Sequence, residues 1–477
     1  MRIPQMVQAA ALSLLLLNGC AAAPATAAGD LPAPMARALA GSGIPADAVG
    51  LYVQEVGAPN RLLAAANAAQ AFMPASTMKL VTTDAALELL GPTFSWRTEA
   101  YASGNLDGET LRGDLIIKGS GDPKLVVEKF WQFLRQIRAA GIREIHGNLL
   151  LDRSAFEDVA IDAAAFDDEP ARPYNVGPDA LLLNYKTFGF RFAPDVAGGV
   201  VRVAVDPPLA GYPVTAPKLV AGNCDDWRGK LLPSVEADGA RFGGTYAAAC
   251  GDQTWYLHPY RMTPTQYFGA VFRQLWSELG GRFDGEVRGG LVPADARLVA
   301  SWDSVALPEV IRDINKYSNN VMARQLLLTL AADILKLPAN PERGARAVKT
   351  WLANKGIGAE ELVVDNGSGL SRSERIAPQT MGRMLVAAFR SPLMPEFVSS
   401  LPLAGYDGTM RRRLIEQTVA GHAHIKTGSL RDVRAIAGYV LAASGRRYAV
   451  VCFINHPNAA QGVKAQDALL QWVYEKG

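Results

Sequence analysis

Pro74-Ala75-Ser76-Thr77-Met78-Lys79-Leu80-Val81 sets a serine and a lysine three residues apart where a helical pattern begins. Leu80, Val81, Ala85, Leu87 and Leu90 recur at helical spacing, and Gly91-Pro92 ends the run. Side chains at i and i+3 are neighbours on a helix, so Ser76 and Lys79 share one face. The N-terminus of a helix also favours negative charge developing on the serine oxygen. A serine hydroxyl is a weak nucleophile at neutral pH, but a lysine kept neutral by burial or by nearby positive charge can take its proton. Ser-x-x-Lys alone is short enough to arise by chance.

Outward from this stretch, Gly50 to Val56 and Arg61 to Ala64 flank a Gly-Ala-Pro-Asn turn and read as a hairpin. Between about Thr93 and Ser304 the texture changes to short strand-like runs such as Leu115 to Lys118 and Gly199 to Val205, separated by Gly, Pro and Asp. This reads as inserted, largely β material. Two amphipathic stretches within it, Val126 to Ala140 and Thr265 to Leu279, suggest helices on a sheet. Helical pattern returns over Leu307 to Leu335, Pro341 to Lys355 and Pro378 to Phe389, with a Gly/Ser-rich loop at Asp365 to Arg372. Ala423 to Gly428, Ala435 to Leu441 and Tyr448 to Ile454 read as three strands, followed by a helix over Val463 to Tyr474. The last third is therefore an antiparallel sheet with helices over it, and the chain as a whole is α+β.

A chain of 477 residues exceeds what one core organises, so two or three domains are expected. Apolar residues make up 49% and charged residues 20%, which excludes disorder and a polytopic membrane protein. A formal charge of +2 gives no reason to expect nucleic acid as a partner. Arg2, the apolar run Ala9 to Leu17 and the small residues after it read as an export signal over 1–28, with cleavage before Ala28. Leu17-Asn18-Gly19-Cys20 also resembles a bacterial lipoprotein box, which would put a lipid anchor on Cys20. An exported chain meets oxidising conditions, where Cys224 and Cys250 can close the polar, Gly-rich loop between them. Cys452 lies in a buried-strand pattern and reads as a core thiol. No histidine sits in a metal-ligand spacing: His422 and His424 flank a strand, and neither a metal nor a cofactor is expected.

Two further motifs bear on Ser76. Tyr317-Ser318-Asn319-Asn320 stands at a break in helical pattern, and Lys426-Thr427-Gly428 occurs in a strand running into a turn. The second offers a cation for a substrate carboxylate, a hydroxyl beside it, and a glycine that lets a substrate backbone approach an exposed strand.

The ordered set Ser-x-x-Lys, Ser-x-Asn, Lys-Thr-Gly resembles the penicillin-binding proteins and serine β-lactamases. Ser76 and Ser318 lie more than two hundred positions apart, which resembles the D-alanyl-D-alanine carboxypeptidase/endopeptidase group of the penicillin-binding protein 4 type, peptidase family S13. Asp365 to Arg372 looks like that group's Gly-Ser-Gly-Leu-Ser-Arg segment.

The resemblance implies a β-lactamase/transpeptidase-like domain, an antiparallel sheet with helices on both faces, formed by 29–95 and 305–477. The insertion 96–304 would divide into one domain at about 96–175 and 256–304 and a nested one at about 176–255. It further implies a periplasmic serine DD-peptidase acting on peptidoglycan peptides through an acyl-enzyme at Ser76, with β-lactams as covalent inhibitors. Lys79 would act as base, Ser318 and Lys426 as proton relay, and Asn320 as holder of the substrate amide. Thr427 and Lys426 would bind the terminal carboxylate beside Gly428, and the Ser76 and Ser429 amides would form the oxyanion hole. Asp152 and Arg372 would meet the free end of a diaminopimelate side chain; capping a turn and forming an ion pair are equally good explanations of these two. The rival readings are a serine β-lactamase, against which the insertion length speaks, and a non-catalytic peptidoglycan-binding scaffold, which has little need of both lysines.

Overall fold

The computed structural model describes residues 29, 31–58, 61–158 and 161–477; the expected export segment 1–28, with Cys20, lies outside the described residues. The organising element is an antiparallel five-stranded sheet in the order Ala423–Leu430, Val433–Leu441, Arg447–Asn455, Val49–Glu55, Leu62–Ala66. The last three strands of the chain thus pair with its first hairpin.

Period-two alternation sends neighbouring side chains of these strands to opposite faces. Val433, Ala435, Ala437, Tyr439, Ala449, Val451 and Phe453 enter one core, with the helices Met78–Leu90, Leu307–Tyr317, Asn320–Leu335, Pro341–Asn354 and Pro378–Arg390. Ile436, Val440, Val450, Cys452 and Ile454 enter the other, under Ala33–Leu39 and Val463–Lys476. Both faces are covered, which is why Tyr448 to Ile454 is an unbroken apolar run instead of an alternating one. Met78–Leu90 is buried on every side from Met78 to Leu87, its polar residues Lys79, Thr82, Thr83 and Asp84 included, which marks a central helix with no solvent face over that span.

The chain leaves this unit after Leu90 and returns at Leu307. Between them, a second sheet runs Arg282–Phe283, Glu144–Ile145, Thr110–Gly119, Arg97–Asp107, Arg297–Asp303, with Leu149–Asp152 and Val287–Gly289 paired alongside. The helices Val127–Ala139 and Pro264–Glu278 pack on it, and three small sheets follow between Phe188 and Leu257. These elements share a core of their own that includes Phe130, Phe190, Phe192, Phe242 and Trp276. Cys224 and Cys250 are joined by a disulfide inside this part. Gln325 docks it onto the helical side of the first unit: its Nε2 donates to the carbonyls of Gly121 (3.1 Å) and Asp179 (2.8 Å), and its Oε1 accepts from the Asp179 amide (2.8 Å).

Several local expectations are refined. Ser76 falls in a 3-10 turn, Ala75–Thr77, and the α-helix begins at Met78. The helical run over Leu307 to Leu335 is two helices meeting at Ser318. The short helices Ala33–Leu39 and Met394–Ser400 carry too few turns to show a period in sequence. No helix among the described residues is long and apolar enough to cross a membrane.

Candidate active site

The nucleophile turn is held open by backbone geometry. Ala75 takes a positive φ of 47°, and the turn Ala75–Thr77 runs straight into the central helix. In 3-10 geometry i and i+3 side chains eclipse, and Lys79 Nζ lies 3.0 Å from Ser76 Oγ. The same nitrogen donates to Asn320 Oδ1 (2.6 Å) and to the Ser368 carbonyl. Lys79 has no solvent exposure. Burial pushes its pKa well below the ordinary lysine value; Lys426 adds to that fall, Glu374 opposes it and Arg324 adds again. Burial disfavours the charged form, so more of the free amine is available as a base at a given pH than in an ordinary lysine.

Tyr317-Ser318-Asn319-Asn320 is the joint between two helices. Ser318 ends the first in the left-handed region (φ 59°, ψ 39°), and Asn319 caps the second, its Oδ1 accepting from the Met322 amide at 3.0 Å. Asn320 is therefore the first helical residue and points its amide at Lys79. A non-glycine residue at positive φ costs free energy, and such strain gathers at functional sites. Here it turns Ser318 Oγ toward Lys426 Nζ, 2.8 Å away. Lys426 is fully buried, and burial pushes its pKa down to about 7. It also donates to the Thr427 carbonyl at 2.9 Å.

Lys426, Thr427, Gly428 and Ser429 lie on Ala423–Leu430, an edge strand of the five-stranded sheet. The Ile425 amide donates to Pro402 (2.8 Å) and the Ala423 carbonyl accepts from Ala404 (2.9 Å), so these residues turn their backbone groups away from the sheet. By the two-residue period, Thr427 and Ser429 present theirs on the same free edge. That edge is a template on which an extended peptide can pair. A methyl on Gly428 would lie 3.0 Å from the Ser76 amide and 2.8 Å from the Pro74 carbonyl. The glycine thus lets the strand close on the nucleophile turn, a packing role beside the expected room for substrate backbone. Ser76, Lys79, Ser318, Asn320, Lys426 and Gly428 are accordingly brought together from three separate parts of the chain.

Three contributors escaped the sequence reading. Ser368 supplies a backbone carbonyl, which no side-chain pattern can reveal. Thr409 meets Thr427, Oγ1 to Oγ1, at 2.8 Å, from a turn of no distinctive composition. Glu374 is a charged residue only 1% exposed, in a segment whose Ser, Arg and Glu read as surface. Asp152 and Arg372 are engaged by the fold. Asp152 Oδ1 accepts from the Ser154 amide and Oδ2 from the Val292 amide, each at 3.0 Å; burial raises its pKa, but these hydrogen bonds outweigh that and lower it. Arg372 pairs with Asp432 at 2.9 Å and lies over the Phe166 ring.

Comparisons with known proteins bear on the family and the fold. The chain is 28% identical over 400 residues to the D-alanyl-D-alanine carboxypeptidase DacB of Haemophilus influenzae, covering 83% of each chain. It is 28% identical over 417 residues to the D-alanyl-D-alanine carboxypeptidase of an Actinomadura species, covering 83% of this chain and 76% of that one. The crystal structure of penicillin binding protein 4 from Haemophilus influenzae superposes with a TM-score of 0.77 at 25% identity, over 92% of this chain and 99% of the other. The model of the D-Ala-D-Ala carboxypeptidase 3 (S13) family matches residues 31–476, and the chain belongs to that family.

Proposed function

We infer that this protein is a serine DD-peptidase of peptidoglycan stem peptides, and that it releases terminal D-alanine, cleaves D-alanyl-diaminopimelate crosslinks, or both. The single observation that carries the reading is the 3.0 Å contact between Ser76 Oγ and a lysine whose pKa burial pushes well below the ordinary value. In the proposed reaction Lys79 takes the Ser76 proton as Oγ attacks the carbonyl of the penultimate D-alanine. The Ser76 and Ser429 amides receive the developing oxyanion. Ser318, joined to Lys426, relays to the departing amine the proton that Lys79 took; the C–N bond breaks, D-alanine leaves, an ester remains on Ser76, and Lys79 is neutral again. Water then hydrolyses the ester, with the same lysine as base. Asn320 holds the substrate amide, and Thr427 with protonated Lys426 holds the terminal carboxylate. A β-lactam would acylate the same oxygen.

For Asp152 and Arg372 the proposal keeps contact with the diaminopimelate end as a secondary element, and occupancy there must displace Asp432 from Arg372. It assigns 29–95 and 305–477 to the catalytic domain and 96–304 to an insertion. Location in the periplasm, by export of 1–28 or through a lipid on Cys20, belongs to the same reading. Labelling with a fluorescent penicillin followed by peptide mapping tests it: the expected adduct is on Ser76, and an unlabelled Ser76 would refute the mechanism.

A further inference from the structure

Among the described residues, Glu374 is the carboxylate whose charge acts on Lys79, and the reaction just described gives it no part. Its side chain is buried, and Oε1 accepts three backbone amides in a row: Asp365 (3.3 Å), Asn366 (3.1 Å) and Gly367 (2.7 Å). The next residue, Ser368, is the one whose carbonyl receives Lys79 Nζ. From the helix side, Thr82 Oγ1 donates to the Gly367 carbonyl at 2.7 Å. The loop is thus pinned at both ends of one short stretch, and what it delivers is an acceptor for the base. Burial raises the Glu374 pKa above the ordinary glutamate value; the three amides favour the ionised form and oppose that rise. Oε2 is buried with no hydrogen-bond partner, so the carboxylate's charge is not spent on a neighbouring cation by contact.

We propose that Glu374 is a positioning residue for the acylation step: its carboxylate fixes the Ser368 carbonyl against Lys79, and its charge offsets the positive charge gathered around Lys79 Nζ. The groups facing that nitrogen are Lys426 on the edge strand, Arg324 on the helix after Ser318, and Glu374 on the loop. Asp365 acts in turn on Glu374 and Arg324. Two cations therefore stand against one anion. Removing the anion alone makes Lys79 release its proton at lower pH. The inference rests on Ser76 and Lys79 being the acylating pair.

The test is the pH profile of the second-order rate of penicillin acylation. Glu374→Gln keeps an oxygen for the three amides and removes the charge; its acid limb should move to lower pH by about one unit. Glu374→Asp keeps the charge on a shorter arm; its acid limb should stay in place while the plateau falls about tenfold through the displaced carbonyl. A Gln variant with the wild-type acid limb would overturn the proposal. So would a folded Asp variant whose limb moves, which keeps the question decidable if the Gln variant does not fold. A Gln variant that acylates normally but traps the acyl-enzyme would also overturn it, because Glu374 would then be serving as the deacylating base. Absence of any adduct on wild-type Ser76 would refute the acylation reading itself; normal acylation indifferent to residue 374 would refute only this inference.

Discussion

Gly369 offers the sharpest test of how the site is assembled. It sits at φ +80°, and a methyl there would collide with the Ala75 carbonyl and come within 2.6 Å of the Ser76 amide. Both atoms belong to the backbone, so no side chain can swing aside. Positive φ costs an alanine about 1–2 kcal/mol, and the overpacking adds about 1–3 kcal/mol. Gly369→Ala should therefore lose roughly 2–5 kcal/mol of stability. The functional cost follows from geometry: opening the contact to an ordinary separation displaces the nucleophile turn by about 1 Å, which is worth about 100-fold in rate. Gly445→Ala is the control, since Gly445 has φ +83° with nothing within 4 Å of the added methyl. That variant should bear the conformational cost alone and acylate normally. The assay is the acylation rate with fluorescent penicillin at a temperature where both variants are folded. A Gly369→Ala enzyme that acylates at the wild-type rate would show that the loop after Gly367 does not hold the nucleophile turn in place.

Other consequences are more local. Reducing the Cys224–Cys250 bridge, which closes a loop of sequence separation 26, should cost the inserted part about 3 kcal/mol; calorimetry should show that transition fall while penicillin labelling of Ser76 persists. Thr409→Val removes the partner of the Thr427 hydroxyl and should lower kcat/KM for a D-Ala-D-Ala peptide about fivefold, with acylation unchanged for a substrate amidated at the terminal carboxylate. With the Lys426 pKa at about 7, the cation awaiting that carboxylate is lost as pH rises. The alkaline limb of kcat/KM for D-alanine release should begin near that value and vanish in Lys426→Gln.

Much of this arrangement was legible in the chain because it is written in periods and breakers. The covered sheet announced itself in Tyr448 to Ile454, and the central helix in its apolar run ended by Gly91. Ser76, Lys79, Ser318, Asn320 and Lys426 were named from short motifs whose order and spacing carried the weight, and the structure joins them by hydrogen bonds. What stayed hidden is backbone and burial. The Ser368 carbonyl has no signature, and the burial of Glu374 depends on a loop folding back over Met78–Leu90. The packing of Gly428 against the nucleophile turn also stayed hidden, because sequence cannot tell which neighbour a missing Cβ makes room for. For Asp152, a turn and a subsite ask for the same residue, and the amides of Ser154 and Val292 account for the turn without bearing on the subsite.

Lys426 also lets the cost of the site be measured directly. Its folded pKa of about 7 lies below the ordinary 10.5 that the unfolded chain restores. Between these values the unfolded state holds a proton that the folded state has lost, so stability rises with pH across the window. The stabilisation is complete above 10.5 and is lost as pH falls toward about 7, at about 1.4 kcal/mol per pH unit for one group. Lys426→Met keeps the volume and removes the titration. It leaves Ser318 Oγ without its partner, a loss of about 1 kcal/mol, against a penalty of several kcal/mol that the wild type carries near neutral pH. The variant should therefore be inactive yet more resistant to denaturant than the wild type near neutral pH, with the two converging as the solution becomes alkaline. Denaturant melts followed through Trp96 and Trp351, which lie in the core around the central helix, would read this. A Lys426→Met variant less stable than the wild type near neutral pH would mean that Lys426 is charged and well solvated in the folded enzyme, and the proton relay assigned to it would have to be rebuilt. The opposite result ties the two roles together: the burial that brings Lys426 within reach of releasing its proton is the same burial that destabilises the fold around it.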